Sequence, residues 1–156
     1  MNRFFIVLYK ISGAGAILSI LGMITAVFVQ VFARFMLENS PAWTEEMARI
    51  FFIYAVAFGA GLAVRNNDYV KLELIDRYLT LNRQKGLKAI IQLIIALFFL
   101  LMAFYAWEFI IIGLPENSPS LEVSMGLVFS SIFIAMVLVF VFTIEQLILL
   151  YKKPQP

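Results

Sequence analysis

Charged side chains are distributed so that four long uncharged segments lie between them. The segments cover residues 11–33, 50–64, 89–107 and 123–144. A helix needs about 20 mostly apolar residues to cross a hydrocarbon layer about 30 Å thick. Three segments are long enough, and the second reaches 21 residues when it is extended back to Thr44. The pattern predicts an all-α integral membrane protein with four transmembrane helices.

The predicted helices cover about 11–33, 44–64, 89–107 and 123–150, within a single membrane domain formed by residues 1–156. Hydrophobic residues make up 63% of the chain and charged residues 14%, far from the composition of a soluble domain. The second helix has two possible starts. Thr44 is a candidate N-cap, and Ser40 followed by Pro41 offers a start one turn earlier.

The distribution of Lys and Arg predicts how the chain is oriented. With both termini in the cytoplasm, ten of the twelve Lys and Arg residues lie on the cytoplasmic side, and only Arg34 and Arg49 lie on the other. Membrane proteins keep such an excess of basic residues inside. The loop over residues 108–122, which contains neither Lys nor Arg, is therefore predicted outside, in the periplasm of a bacterium.

The connection between the second and third helices contains an amphipathic stretch. Leu72, Ile75 and Leu79 recur at helical spacing, next to Tyr69 and behind Asp68 as a candidate cap. This favours a short interfacial helix over about 68–80, lying in the headgroup plane. A helical hairpin packed on the spanning helices is the alternative.

The absence of His and Cys from the chain excludes several kinds of catalytic and metal site. The chain contains no His and no Cys, which removes bis-His haem ligation, imidazole or thiolate zinc sites, Ser-His triads and cysteine nucleophiles. No basic run indicates nucleic acid binding. We therefore predict no catalytic residue, no cofactor and no metal site, and a protein that is not an enzyme.

The middles of the four apolar segments contain no charge and no proline. A substrate pathway usually requires buried ionisable groups or broken helices, so an accessory or scaffold subunit is favoured. A self-sufficient four-helix transporter acting as a homo-oligomer is one alternative, but it would need a carboxylate within a helix. A structural membrane anchor subunit is another, although without His it could not ligate haem in the usual way.

Small residues form ridges on the first two helices, where helix backbones can approach closely in lipid. The residues are Gly15, Ser19, Gly22 and Ala26 on the first helix, and Ala55, Gly59 and Ala63 on the second. Packing of these two helices on each other is one explanation, and docking on another subunit is the other.

Charged residues gather where the first helix ends and the second begins. They are Arg34, Glu45, Glu46 and Arg49, with Trp43 at the position of an interfacial tryptophan. Arg49 follows Glu45 by four residues and Glu46 by three, so either glutamate can pair with it on one helix face. We expect this rim to carry salt bridges or a subunit interface.

The motif Trp43-Thr44-Glu45-Glu46-Met47-Ala48-Arg49, followed by Phe58-Gly59-Ala60, Arg65 and the amphipathic VKLELIDRYL, resembles a known family. It is similar to the small membrane subunit of tripartite ATP-independent periplasmic (TRAP) transporters. The stretch before the fourth helix, Pro119-Ser120-Leu121-Glu122-Val123-Ser124-Met125, is similar as well. One departure is Tyr69, at a position where many members have His.

The resemblance implies partners and a location. A large membrane subunit would hold the substrate and sodium sites, and a periplasmic binding protein would deliver an organic acid through transient contact. The small subunit would brace the large one within the lipid bilayer of the bacterial inner membrane. By the same resemblance, Arg34, Glu46 and Arg49 would stabilise the outer end of the subunit or its contact with the partner.

Overall fold

The computed structural model describes residues 3–36, 41–66 and 81–152, which form four α-helices. They are α1 (Arg3–Met36), α2 (Ala42–Arg65), α3 (Leu81–Gly113) and α4 (Met125–Lys152). All four are long and apolar enough to cross a membrane. The described ranges contain no β-strand, which confirms the prediction of an all-α membrane protein with four spanning helices.

The helices extend beyond the apolar segments that predicted them. α1 has 34 residues and α3 has 33, because both continue through basic residues at their N-terminal ends. Long basic side chains can place their charge in the headgroup layer while the helix backbone stays hydrogen-bonded. The length of the apolar segment therefore identifies the membrane-crossing part of each helix, but it underestimates the length of the whole helix.

The second helix begins one residue after the earlier of its two predicted starts. Pro41 is the N-cap residue and Ala42 the first helical residue. Thr44, the other candidate cap, makes no capping bond, and its hydroxyl instead donates to the Pro41 carbonyl oxygen at 2.7 Å. Thr44 is fully buried, whereas a capping residue at the membrane rim would not need to be.

The helices form two hairpins, α1–α2 and α3–α4, which meet through α2 and α4. α1 packs on α2, α2 on α4, and α4 on α3, so α1 and α3 occupy the outer positions. We call the end with Arg3, Arg65 and Lys152 the termini end, and the opposite end the loop end. α2 and α4 run in the same direction, from the loop end to the termini end.

Small residues allow close contact within the first hairpin. A Cβ placed on Gly15 would lie 2.8 Å from the Phe58 ring, and one on Gly22 would lie 2.7 Å from the Phe51 ring. The buried residues of α1 recur every seven positions, at Ser12, Ser19, Ala26 and Ala33. One face of α1 therefore packs on α2, and most of its large apolar side chains remain exposed.

The second hairpin joins the first through an apolar core. Val64 from α2 packs there with Leu138, Val139 and Phe142 from α4. Gly61 makes this contact possible, since a Cβ there would lie 2.7 Å from the Leu138 Cβ.

The predicted interfacial helix lies outside the described residues, with Tyr69, Leu72, Ile75 and Leu79. The cytoplasmic location of the termini stays a prediction.

Candidate functional site: polar clusters at both ends of α2

A carboxylate at the loop end of α2 holds the loop between α3 and α4. Glu46 Oε2 accepts hydrogen bonds from the backbone N–H of Leu121 at 3.0 Å and of Ser120 at 3.2 Å. The Ser118 hydroxyl also donates to Oε2. We call these four residues the Glu46 cluster. Three donors on one ionised carboxylate make charge-assisted hydrogen bonds, which are stronger than neutral ones.

The loop is folded so that these donors converge. The Ser118 N–H donates to the Val123 carbonyl at 2.9 Å, and the Met125 N–H donates to the Glu116 carbonyl at 2.8 Å. Glu122 closes the turn with a φ of 54°, in the left-handed region that few residues other than glycine adopt. The loop therefore presents two successive N–H groups to a helix of the other hairpin.

The other glutamate of the rim has a different role. Glu45 accepts a hydrogen bond from Arg49 Nη2 at 3.2 Å, and the two side chains are 67% and 68% exposed. Of the two glutamates that the spacing allowed, Arg49 therefore bonds with Glu45, while Glu46 bonds with the loop. An ion pair this exposed contributes at most about 1 kcal/mol to stability, which leaves both groups available to a partner.

The remaining rim residues lie outside the Glu46 cluster. Arg34 is exposed in the last turn of α1, and Trp43 is 42% exposed in the first turn of α2. The sequence grouped five residues at this rim. In the structure, Glu46 contacts the loop between α3 and α4, and the other four residues form an exposed surface.

A buried ion pair joins the hairpins at the termini end. Arg65 Nε lies 3.0 Å from Glu145 Oε2, and Arg65 Nη2 donates to Glu145 Oε1 at 3.2 Å. The third nitrogen, Nη1, donates to the Phe5 carbonyl oxygen of α1 at 3.1 Å. Gln146 Nε2 donates to the backbone carbonyl of Arg65 at 2.7 Å. We call these four residues the Arg65 cluster.

The surroundings of the pair shield it from most of the solvent. The side chain of Arg65 is 13% exposed and that of Glu145 is 4% exposed. The Tyr9 ring lies against the guanidinium, with its centroid 4.4 Å from Cζ. Taking two charges out of water is costly, and paired geometry with additional hydrogen bonds and a π-face offsets that cost. Arg65 thereby contacts α1 and α4 while it belongs to α2.

The Arg65 cluster was not predicted from the sequence. Arg65 was expected to be one of the basic residues that orient the chain and part of the family motif, and Glu145 had no predicted role. A signal was present, since Glu145 is the one acidic residue after Glu122 and directly follows an uncharged segment of 22 residues. A single carboxylate in that position indicates a partner on another helix, because an unpaired charge near lipid is costly.

The two predicted small-residue ridges have different surroundings. On α1, Gly15 and Gly22 contact the rings of α2, and Ser19 and Ala26 are buried. On α2, nothing lies within 4 Å of a Cβ placed on Gly59. Ala55 and Ala63 are only partly buried. α2 packs on α4 through Gly61, which lies beside the predicted ridge and is buried, as is Ala57.

Removing the Glu46 carboxylate tests whether this group fixes the conformation of the loop between α3 and α4. In Glu46→Ala the amides of Ser120 and Leu121 lose their acceptor, so we expect them to exchange hydrogen several times faster. Hydrogen exchange with mass spectrometry of the purified chain measures this. Glu45→Ala is the matched control, since it removes the neighbouring carboxylate and leaves the loop contact in place. Equal exchange in the two variants would show that the loop holds its shape without Glu46.

The chain is similar to transporter components. The sequence model of the family "Tripartite ATP-independent periplasmic transporters, DctQ component" matches residues 23–153. A protein of Haemophilus influenzae named "Putative TRAP transporter small permease protein" is 22% identical over 138 residues, which cover 88% of this chain and 84% of that protein. The match includes the whole of α2, α3 and α4 and both polar clusters except Phe5. With four helices able to span a membrane, the chain belongs to the DctQ component family of TRAP transporters.

Proposed function

We propose that this chain is the non-catalytic small subunit that braces the large membrane subunit of a TRAP transporter. The large subunit would translocate an organic acid together with sodium, and a periplasmic binding protein would deliver the acid. Dicarboxylates, keto acids and sugar acids are the proposed substrates. The observation that carries the proposal is the family match over residues 23–153, because that family is a component of a tripartite transporter.

The charges of the described helices support an accessory role. Carriers that couple transport to protons use a buried carboxylate whose protonation changes during the cycle. The buried carboxylate of α4, Glu145, lies near the helix end and is already paired with Arg65. A self-sufficient carrier would have to break that pair in each cycle. This favours a supporting subunit over a homo-oligomeric transporter.

The protein is a multi-pass protein of the inner membrane, as its family and four spanning helices indicate. We place the termini end in the cytoplasm. Exposed basic residues at that end support this placement: Arg3, Lys10, Arg83, Lys85, Lys88 and Lys152. The Glu46 cluster would then lie at the periplasmic surface, on the side from which a binding protein delivers its substrate.

The exposed face of α2 is the surface that we propose for contact with the large subunit. It begins with the Glu45–Arg49 pair at the loop end and continues through Phe52 and Val56, both 54% exposed. The open position at Gly59 lies on the same side of the helix. A helix of the partner could approach α2 closely there, and Arg49 could exchange its intrachain partner for one across the interface.

Replacing Arg49 tests this surface. Arg49→Ala is expected to reduce recovery of the large subunit with the tagged chain and to lower substrate uptake in proportion. Arg83→Ala is the matched control, because it removes an exposed arginine at the opposite end. Full recovery of the complex and full uptake with Arg49→Ala would refute a role for Arg49 in assembly.

The function itself is tested by purifying the affinity-tagged chain from its native host in mild detergent. Mass spectrometry is expected to identify a larger polytopic membrane protein at equal stoichiometry. Recovery of the chain only as a stable homo-oligomer would support the self-sufficient transporter instead. Recovery with a membrane-bound enzyme would support a structural anchor.

A further inference from the structure

The two hairpins are joined by polar contacts at three levels along α2. The Glu46 cluster lies at the loop end and the Arg65 cluster at the termini end. Between them, the Tyr54 hydroxyl lies 2.6 Å from Ser130 Oγ and donates to the Leu127 carbonyl oxygen at 2.7 Å. The other contacts between α2 and α4 are apolar, around Gly61 and Phe142.

Apolar packing leaves the lengthwise position of two parallel helices weakly determined. Their ridges repeat every turn, so a slide of one turn, about 5.4 Å, brings similar surfaces together. In lipid, no gain in apolar burial opposes the slide, because the lipid tails are as apolar as the side chains. Hydrogen bonds and ion pairs are directional, so they can favour one lengthwise position over the position one turn away.

The three polar contacts supply that distinction. A slide by one turn would separate Glu145, 3% exposed as a residue, from the guanidinium of Arg65 and leave both charges unpaired. It would also move the loop donors away from Glu46 and the Tyr54 hydroxyl away from Ser130. In coiled coils, a single buried polar residue such as Asn or Lys can select one register among similar ones.

We propose that these three contacts set the register between the two hairpins of this chain. The Arg65 cluster extends the effect to α1, because Nη1 also bonds with the Phe5 carbonyl. The two hairpins thereby form one rigid unit with a single lengthwise position. All three contacts lie within the chain, so they set its register independently of the proposed transporter function.

Cysteine pairs can report the register, since the chain contains no native Cys. Gly61 lies against Leu138. Residues four positions earlier lie on the same face of each parallel helix, so we expect Ala57 to lie opposite Ile134. Ala57→Cys with Ile134→Cys is the in-register pair, and Ala57→Cys with Leu138→Cys is offset by one turn. We expect oxidation to cross-link the in-register pair at least about tenfold faster than the offset pair.

The two pairs are then compared in three backgrounds that each remove one contact: Glu46→Ala, Tyr54→Phe, and Arg65→Met combined with Glu145→Met. The double substitution removes both charges together, so no orphan charge is created. We expect the preference for the in-register pair to fall several-fold in each background, and to fall further towards equality when two contacts are removed. An unchanged preference in all three single backgrounds would show that apolar shape sets the register, and it would overturn the proposal. Thermal unfolding of each variant confirms that the comparison is made on folded protein.

Discussion

Glu145→Ala is expected to lower the free energy of unfolding by about 3–5 kcal/mol, because it leaves a buried arginine without its counter-charge. The remaining partners of the guanidinium are the Phe5 carbonyl and the rings of Tyr9 and Phe142, and none of them carries a negative charge. Thermal unfolding of the purified chain in detergent measures the loss. Glu116→Ala is the matched control, since Glu116 is exposed in the α3–α4 loop.

The combined variant Arg65→Met with Glu145→Met distinguishes the net contribution of the ion pair from the cost of leaving one charge unpaired. Replacing a buried ion pair by apolar residues of similar size is often neutral, so this variant is expected to regain most of the stability lost in Glu145→Ala. This result would show that the ion pair fixes the relative position of the two hairpins more than it adds to net stability. A loss below about 1 kcal/mol in Glu145→Ala would mean that water or another group reaches Arg65.

Gly61→Leu is expected to lower the free energy of unfolding by about 3 kcal/mol, because it forces α2 and α4 apart. A Cβ at this position would lie 2.7 Å from the Leu138 Cβ and 3.2 Å from the Phe142 ring. Leu138 and Phe142 are 6% and 0% exposed, which leaves them little room to move. Loss of the monodisperse folded chain on heating measures the effect.

Gly59→Leu is the matched control for this prediction. Gly59 lies two residues earlier on the same helix, and nothing lies within 4 Å of a Cβ placed there. The isolated chain should therefore keep its stability, or gain up to about 1 kcal/mol from the better helix propensity of leucine. Equal losses in the two variants would contradict the packing of α2 on α4. In the assembled transporter, Gly59→Leu should instead reduce recovery of the large subunit, if the exposed face of α2 is the contact surface.

The small-residue ridges show how far a sequence pattern can be used to predict packing. Spacing identified two ridges, and it left open whether they pack within the chain or on another subunit. In the structure, the α1 ridge contacts Phe51 and Phe58 of α2, whereas a Cβ on Gly59 would contact nothing. Small residues permit close approach by any helix, so the pattern alone cannot identify the neighbour.

The rim of α2 shows the same limit for charged residues. The spacing allowed Arg49 to pair with Glu45 or Glu46, because both lie within reach on one helix. The structure brings the 118–121 segment beside Glu46, 72 or more residues away in sequence, and that contact decides the assignment. Glu45 is left to Arg49.

Two features of this protein follow from its sequence: the four spanning helices and membership of the DctQ component family of TRAP transporters. Apolar length is a local property, because the hydrocarbon layer requires each helix to satisfy its own backbone hydrogen bonds. Three further features could be read only from the three-dimensional structure: the order of helix packing, the start of α2 at Ala42, and the partners of Glu46 and Arg65. These features depend on which helices pack together and on their relative position along the helix axes. Arg65 and Glu145 are 80 residues apart in sequence, and they form their ion pair only after the two hairpins have docked.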